Sequence, residues 1–190
     1  FEEICSIPHG SRNLQQISDY LVDFAKAHEL KYRQDEDLNV IIWKGGSKGY
    51  EASEPVILQG HMDMVAVKEA DCDKDMEKEG LDLEINGDYI SAKGTSLGGD
   101  DGIAVAYTLA VLDDEEMAHP PIEAIFTVNE EIGMLGAATI DVSDLKGRLF
   151  MNMDSEDEGV FTVSCAGGAS VICKIPYETE TVNASVIEIK

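Results

Sequence analysis

An α/β layered fold, with a central mixed, largely parallel β-sheet flanked by helices, is predicted by three observations. Short apolar, strand-like runs alternate with helical patterns along the 190 residues. The segment Pro55-Val56-Ile57-Leu58-Gln59 is a continuous apolar run, as expected of a strand buried on both faces. Residues able to bind a cation or move a proton then recur where strands stop, at His61, Glu130 and Asp154. In open α/β sheets ligands bind beyond the carboxyl ends of the strands, and a solvated charged face would not respect those ends.

The elements follow in order. Phe1-Glu2-Glu3 begins directly in a helix-like pattern without an initiator methionine, which predicts a trimmed chain. Ser11 is placed to cap a helix whose apolar residues Ile17, Leu21, Val22 and Phe24 recur at helical spacing. Asn39 to Trp43 reads as a strand, Gly45 to Gly49 as a loop, and Pro55 to Gln59 as a second strand. Lys68 to Gly80 is an acidic surface excursion, and Leu81 to Ser91 a hairpin turning at Asn86-Gly87. A glycine-rich loop, Gly94 to Gly102, leads into an apolar helix from Ile103 to Leu112. His119-Pro120-Pro121 connects it to a strand at Glu123 to Val128, followed by a short helix at Met134 to Ala138 and a strand at Leu149 to Met153. Val160 to Cys165 and Ser170 to Ile175 read as paired strands, with Cys165 and Cys173 as packing residues. After Pro176 the pattern changes to Thr- and Val-rich alternation, which predicts one domain over 1–176 and the opening of another over 177–190.

Bulk composition narrows the function classes. An apolar fraction of 44% is ordinary for a globular protein and argues against disorder. With 38 acidic against 14 basic residues the formal net charge is -24, which speaks against nucleic acid and anionic membrane as partners. No stretch is long and apolar enough to cross a bilayer, and the N-terminus lacks the basic and apolar blocks of a signal peptide. The four cysteines show no CxxC spacing, so free thiols and a cytoplasmic location are expected. Asn183-Ala184-Ser185 fits a glycosylation sequon that a cytosolic chain would not use.

The chemistry is concentrated in four motifs. His61 is the histidine placed to bind a metal; His9, His28 and His119 read as ordinary core or surface residues. Asp63, two residues on, points to the same side of an extended chain and can hold the far ring nitrogen of His61. Asp100 and Asp101 lie between glycines that allow close backbone approach, and a bridging carboxylate would use that space. The segment lacks the Lys and Ser/Thr of a phosphate-binding loop. Glu130 and Glu131 are consecutive; if strand geometry continues, their side chains diverge, one to a metal and the other to a water as general base. Asp154 opens an acidic run, but position twelve of a calcium loop would be Cys165 rather than Glu, and Glu156, Asp157 and Glu158 read as a solvated turn.

Taken together, Ile7-Pro8-His9-Gly10-Ser11, Ile57 to Met64, Gly94 to Ile103, Asn129-Glu130-Glu131-Ile132-Gly133 and Asn152 to Glu156 resemble the aminoacyl-histidine dipeptidases (Xaa-His dipeptidases of the carnosine-hydrolysing type), within the larger group of di-metal peptidases and deacylases. The resemblance covers nearly the whole chain. It implies a zinc-exopeptidase-like fold and two divalent metal ions, zinc first, with manganese or cobalt also suited to the donors. His61, Asp100 and Asp154 would hold the first metal; Asp100 would bridge to a second, which Glu131 also binds. Glu130 would be the general base, Asp63 would orient His61, and the Asp100–Asp101 peptide would be cis. A dipeptide substrate is implied, and a homodimer for the full-length protein. The family adds a lid domain and a late histidine, whereas no histidine follows His119 here. The chain is therefore expected to be the N-terminal part of a catalytic domain, lid largely absent, with reduced or no activity alone. A same-fold deacylase or carboxypeptidase is the alternative, and a non-catalytic acidic binding module a further one that retention of Glu130 disfavours.

Overall fold

The computed structural model describes residues 1–155, 159–164, 167–169 and 171–181. Two compact units divide the chain, Phe1–Glu156 and Asp157–Lys190. In the first unit the order is α1 (Glu2–Cys5), α2 (Gln15–Ala27), β1 (Lys31–Gln34), β2 (Val40–Lys44), β3 (Val56–His61), β4 (Leu83–Asn86), β5 (Tyr89–Ala92), α3 (Gly99–Asp113), β6 (Ile122–Thr127), α4 (Leu135–Thr139) and β7 (Leu149–Asn152).

Five strands form one sheet in the order β1-β2-β6-β3-β7, and β4 and β5 make a separate hairpin. β2 is antiparallel to both β1 and β6, whereas β3 is parallel to both β6 and β7. Four strands therefore point one way and β2 alone runs against them, so the sheet is mixed and largely parallel. α2 turns Ile17, Leu21, Val22 and Ala25 inward, and α3 contributes Val105, Leu109 and Leu112. These pack with Val40, Ile42, Leu58, Ala124 and Phe126 into one core. Ile41, Ile57 and Ile125, which alternate with those strand residues, are also buried, which accounts for the unbroken apolar runs. Buried Glu123 on β6 anchors the segment leading into β7: its carboxylate accepts the Lys146 N–H at 3.0 Å and the Gly147 N–H at 2.9 Å.

Several expectations need correction. Ser11 does not cap α2; that helix starts at Gln15 after Leu14, with no side-chain cap, and the Ser11 hydroxyl donates instead to Asp63. β1 has no counterpart among the predicted strands: Lys-Tyr-Arg-Gln is a half-exposed edge strand without an apolar signature. The described residues of 160–164 and 171–175 form no strand; Phe161, Val163 and Ile172 stay largely exposed, and a two-stranded ribbon without a covering layer is marginal. Cys173 is exposed, so it is not a packing residue. Cys165, the Glu156–Glu158 turn and the Asn183 sequon lie outside the described residues. Cys5, Cys72 and Cys173 are free thiols, and no helix among the described residues is long and apolar enough to cross a membrane.

Candidate metal centre

Because β3, β6 and β7 are adjacent and parallel, their carboxyl ends share one edge of the sheet. His61 is the last residue of β3, Glu130 follows β6 and Asp154 follows β7. α3 approaches the same edge through Gly98, which takes a left-handed φ of 69°. Asp100 and Asp101 are joined by a cis peptide and have non-helical backbone, so regular helix begins only after them. Gly60 permits this closeness: a Cβ there would lie 2.7 Å from the Cβ of Ala104 and 2.8 Å from Oδ2 of Asp101.

His61 is the hub. Its side chain is 1% exposed, and Nδ1 lies 2.9 Å from the carbonyl oxygen of Asp63 and 3.5 Å from Oδ1 of the same residue. Both partners are acceptors, so Nδ1 carries a proton and Nε2 faces the site. Nε2 is 3.0 Å from Oδ1 of Asp100 and 3.9 Å from Oε2 of Glu130. The backbone N–H of His61 donates to Oδ2 of Asp101 at 3.1 Å.

Asp63 is fully buried and ties several segments together. Oδ1 accepts the Glu130 N–H at 3.0 Å; Oδ2 accepts the Ser11 hydroxyl at 2.8 Å and the Glu131 N–H at 3.4 Å. The strand geometry that would have set Glu130 and Glu131 to opposite sides does not continue to them. Asn129 takes a positive φ of 53°, the chain turns, and both amides point at one carboxylate.

The donor atoms form two groups whose members lie within 4.8 Å of one another: His61 with Asp100 and Glu131, and His61 with Asp101 and Asp154. The other three residues expected as ligands, Asp100, Glu131 and Asp154, thus gather around His61, and Asp101, which was not expected as a ligand, joins them beside Asp154. Among the described residues no lysine or arginine forms an ion pair with any of these acids. Electrostatics reflect the crowding. Burial raises the Asp101 carboxyl to about 7, against the opposing charge and N–H of His61. Burial, assisted by neighbouring carboxylates, also raises Glu130, Glu131 and Asp154. For His61, burial favours the neutral ring, but the hydrogen bonds to Asp63 and Asp100 and the charge of Asp101 push it up to about 10. Asp63 is held below the usual range although burial opposes it, because His61, the Glu130 amide and Ser11 all donate to it. One imidazole among uncompensated carboxylates is a donor set that fits zinc, manganese or cobalt.

The remaining histidines are elsewhere. His9 and His119 are buried with Nδ1 close to the carbonyls of Ile7 and Pro120, and His28 lies 3.5 Å from Asp113.

No protein-family model matches the chain. Over 184 residues, 97% of its length, it is 39% identical to the cytosol non-specific dipeptidase of Escherichia coli (strain K12), and it spans 38% of that protein. The crystal structure of the aminoacylhistidine dipeptidase from Vibrio alginolyticus superposes with a TM-score of 0.80 at 42% identity, over 83% of this chain and 32% of that one. A tripeptidase from Staphylococcus aureus, at 24% identity and a TM-score of 0.68, shares the fold over 82% of this chain and 42% of its own. The resemblance drawn from the motifs is borne out: the chain is a relative of the aminoacylhistidine and cytosol dipeptidases that spans about two fifths of the curated one.

Proposed function

We propose that this chain carries most of a di-metal centre for hydrolysing dipeptides of the Xaa-His type, within a longer cytoplasmic protein. The observation that supports it most is the convergence of Asp100, Asp101, Glu131 and Asp154 on the buried His61, with no lysine or arginine paired to them among the described residues. Bound there, two divalent ions, zinc foremost, would polarise the scissile carbonyl and make water acidic enough to lose a proton near neutral pH.

The protein groups divide the remaining work. By the resemblance, His61, Asp100 and Asp154 would hold one ion, and Asp100 and Glu131 would serve the second; the donor groups of the fold instead set Asp100 with Glu131 and Asp101 with Asp154 around His61, and Asp101 also accepts the His61 backbone N–H. Asp63 orients the imidazole so that Nε2 faces inward. Glu130, whose Oε2 lies 3.9 Å from that nitrogen, takes the proton of the attacking water and returns it to the leaving amine. Its raised pKa, caused first by burial, suits a group that must both accept and return a proton near neutrality. Residues 1–176, of which Phe1–Glu156 is the compact unit, would belong to the catalytic domain and 177–190 would open a lid domain, residues 182–190 lying outside the described ones. Alone, the 190-residue chain has reduced or no activity, because the late histidine that the resemblance implies for the second ion has no counterpart after His119.

Metal analysis and a dipeptide panel on the longer parent protein, with Glu130→Ala as control, test the reading. Bound zinc and Xaa-His cleavage that disappears in Glu130→Ala are expected; cleavage that survives the substitution removes Glu130 as base.

A further inference from the structure

We infer that Ser11 is a positioning residue of this centre, acting through Asp63. The inference rests on the metal-centre reading above. Residues 9–12 cross the site as a strap. The Ser11 N–H donates to the Met64 carbonyl at 3.2 Å, and the Met64 N–H to the His9 carbonyl at 3.2 Å. Gly10 bridges to Met64, and a Cβ on Gly10 would lie 2.6 Å from that of Ala66, so glycine lets the strap seat closely. One residue further, the Arg12 N–H donates to Oδ1 of Asn129 at 2.8 Å, in the loop that carries Glu130 and Glu131.

Between these backbone ties the Ser11 hydroxyl donates to Oδ2 of Asp63. The other close donor to that carboxylate, the Glu130 N–H, reaches Oδ1, while the Glu131 amide stands off from Oδ2 at 3.4 Å. Ser11 therefore makes the shortest bond to Oδ2 and sets the rotation of the carboxylate about its Cβ–Cγ bond. That rotation decides how Oδ1 meets both Nδ1 of His61 and the amide of Glu130. Without the hydroxyl a buried, ionised oxygen loses its best donor, and the plane of the carboxylate is free to turn. A shift there reaches the imidazole and the Glu130–Glu131 loop at once.

The test uses the full 190-residue chain as wild type, Ser11→Ala and Ser11→Thr. Two quantities are read: the zinc dissociation constant by calorimetry, and hydrogen exchange at the amides of Glu130 and Glu131 against core amides such as Ile42 and Phe126. Ser11→Ala is expected to weaken zinc binding about 10-fold, the lower end for loss of a group that orients a metal ligand. It should speed exchange at Glu130 and Glu131 while the core amides stay protected, and Ser11→Thr should restore both. An unchanged zinc affinity in Ser11→Ala, exchange that rises equally in the core, or a Thr variant no better than Ala each overturns the inference. Wild type that binds no zinc at all sinks the metal-centre reading, and the inference with it, before any variant is compared. Zinc bound by wild type but equally well by Ser11→Ala sinks only the role of Ser11.

Discussion

Oδ2 of Asp101 accepts the backbone N–H of His61 at 3.1 Å, while the same carboxylate gathers with the His61 ring and Asp154 within 4.8 Å. One side chain thus holds the strand that delivers the imidazole and adds negative charge beside it. Burial lifts its pKa to about 7, so in the absence of a cation its ionised form burdens the fold.

Asp101→Asn follows directly from that conflict. The amide oxygen can still accept the His61 N–H, but the charge is gone. In the presence of a chelator at pH 8, urea denaturation should show the variant more stable than wild type by about 1–3 kcal/mol, given a shift of roughly three pKa units partly offset by the unpaired amide. Zinc affinity should fall. A variant less stable than wild type in chelator contradicts this account of Asp101.

Metal should stabilise the folded chain by mass action. At free zinc 100 times its dissociation constant, the gain over chelator is about 2.7 kcal/mol, because unfolded chain lacks the site. His61→Ala, which removes the hub of both donor groups, should abolish the gain. Thermal unfolding with and without zinc measures it, and an equal zinc effect in the variant argues for binding elsewhere.

Gly60→Ala tests how tightly α3 must approach β3. The new methyl would meet Ala104 and Asp101 below 3 Å, so the helix start has to move. A destabilisation of about 1–3 kcal/mol is expected from overpacking, together with weaker zinc binding. Loss of stability at full zinc affinity would separate the helix contact from the site.

His9 supplies the pH dependence. Burial lowers its pKa below 6.5, only partly opposed by the Ile7 carbonyl and the charge of Asp63. A base with a depressed folded pKa contributes stability that is complete above the unfolded value of 6.5 and is lost as pH falls through the folded value. His9→Gln cannot be protonated, so the stability gap between wild type and variant should narrow from pH 7.5 to pH 5. Urea midpoints at the two pH values decide; a constant gap excludes His9 as the titrating group.

Much of this was legible beforehand where burial dictates residue type. Ile41, Ile57 and Ile125 are apolar because both faces of their strands are covered, and His61, Glu130 and Asp154 could be placed because strand ends are visible as interruptions of such runs. What escaped depends on tertiary contact. Ser11 satisfies the local signature of a helix cap, and only the fold brings Asp63, 52 residues away, within reach of its hydroxyl. Asp100 and Asp101 are chemically identical neighbours; the break in helical backbone at both sends one to Glu131 and the other to Asp154. Lys31–Gln34 pairs along β2 through its backbone, for which an exposed edge needs no apolar pattern.

The strand order has a consequence for scale. His61 sits on the middle of three parallel strands, with β6 on one side and β7 on the other, and neighbouring strands are about 4.8 Å apart. The backbone ladder thereby acts as a ruler whose pitch no side-chain substitution can stretch. Loops at this edge are free to change in length and composition, but the interval between the strand ends from which His61, Glu130 and Asp154 are delivered is inherited from hydrogen-bond geometry common to every sheet.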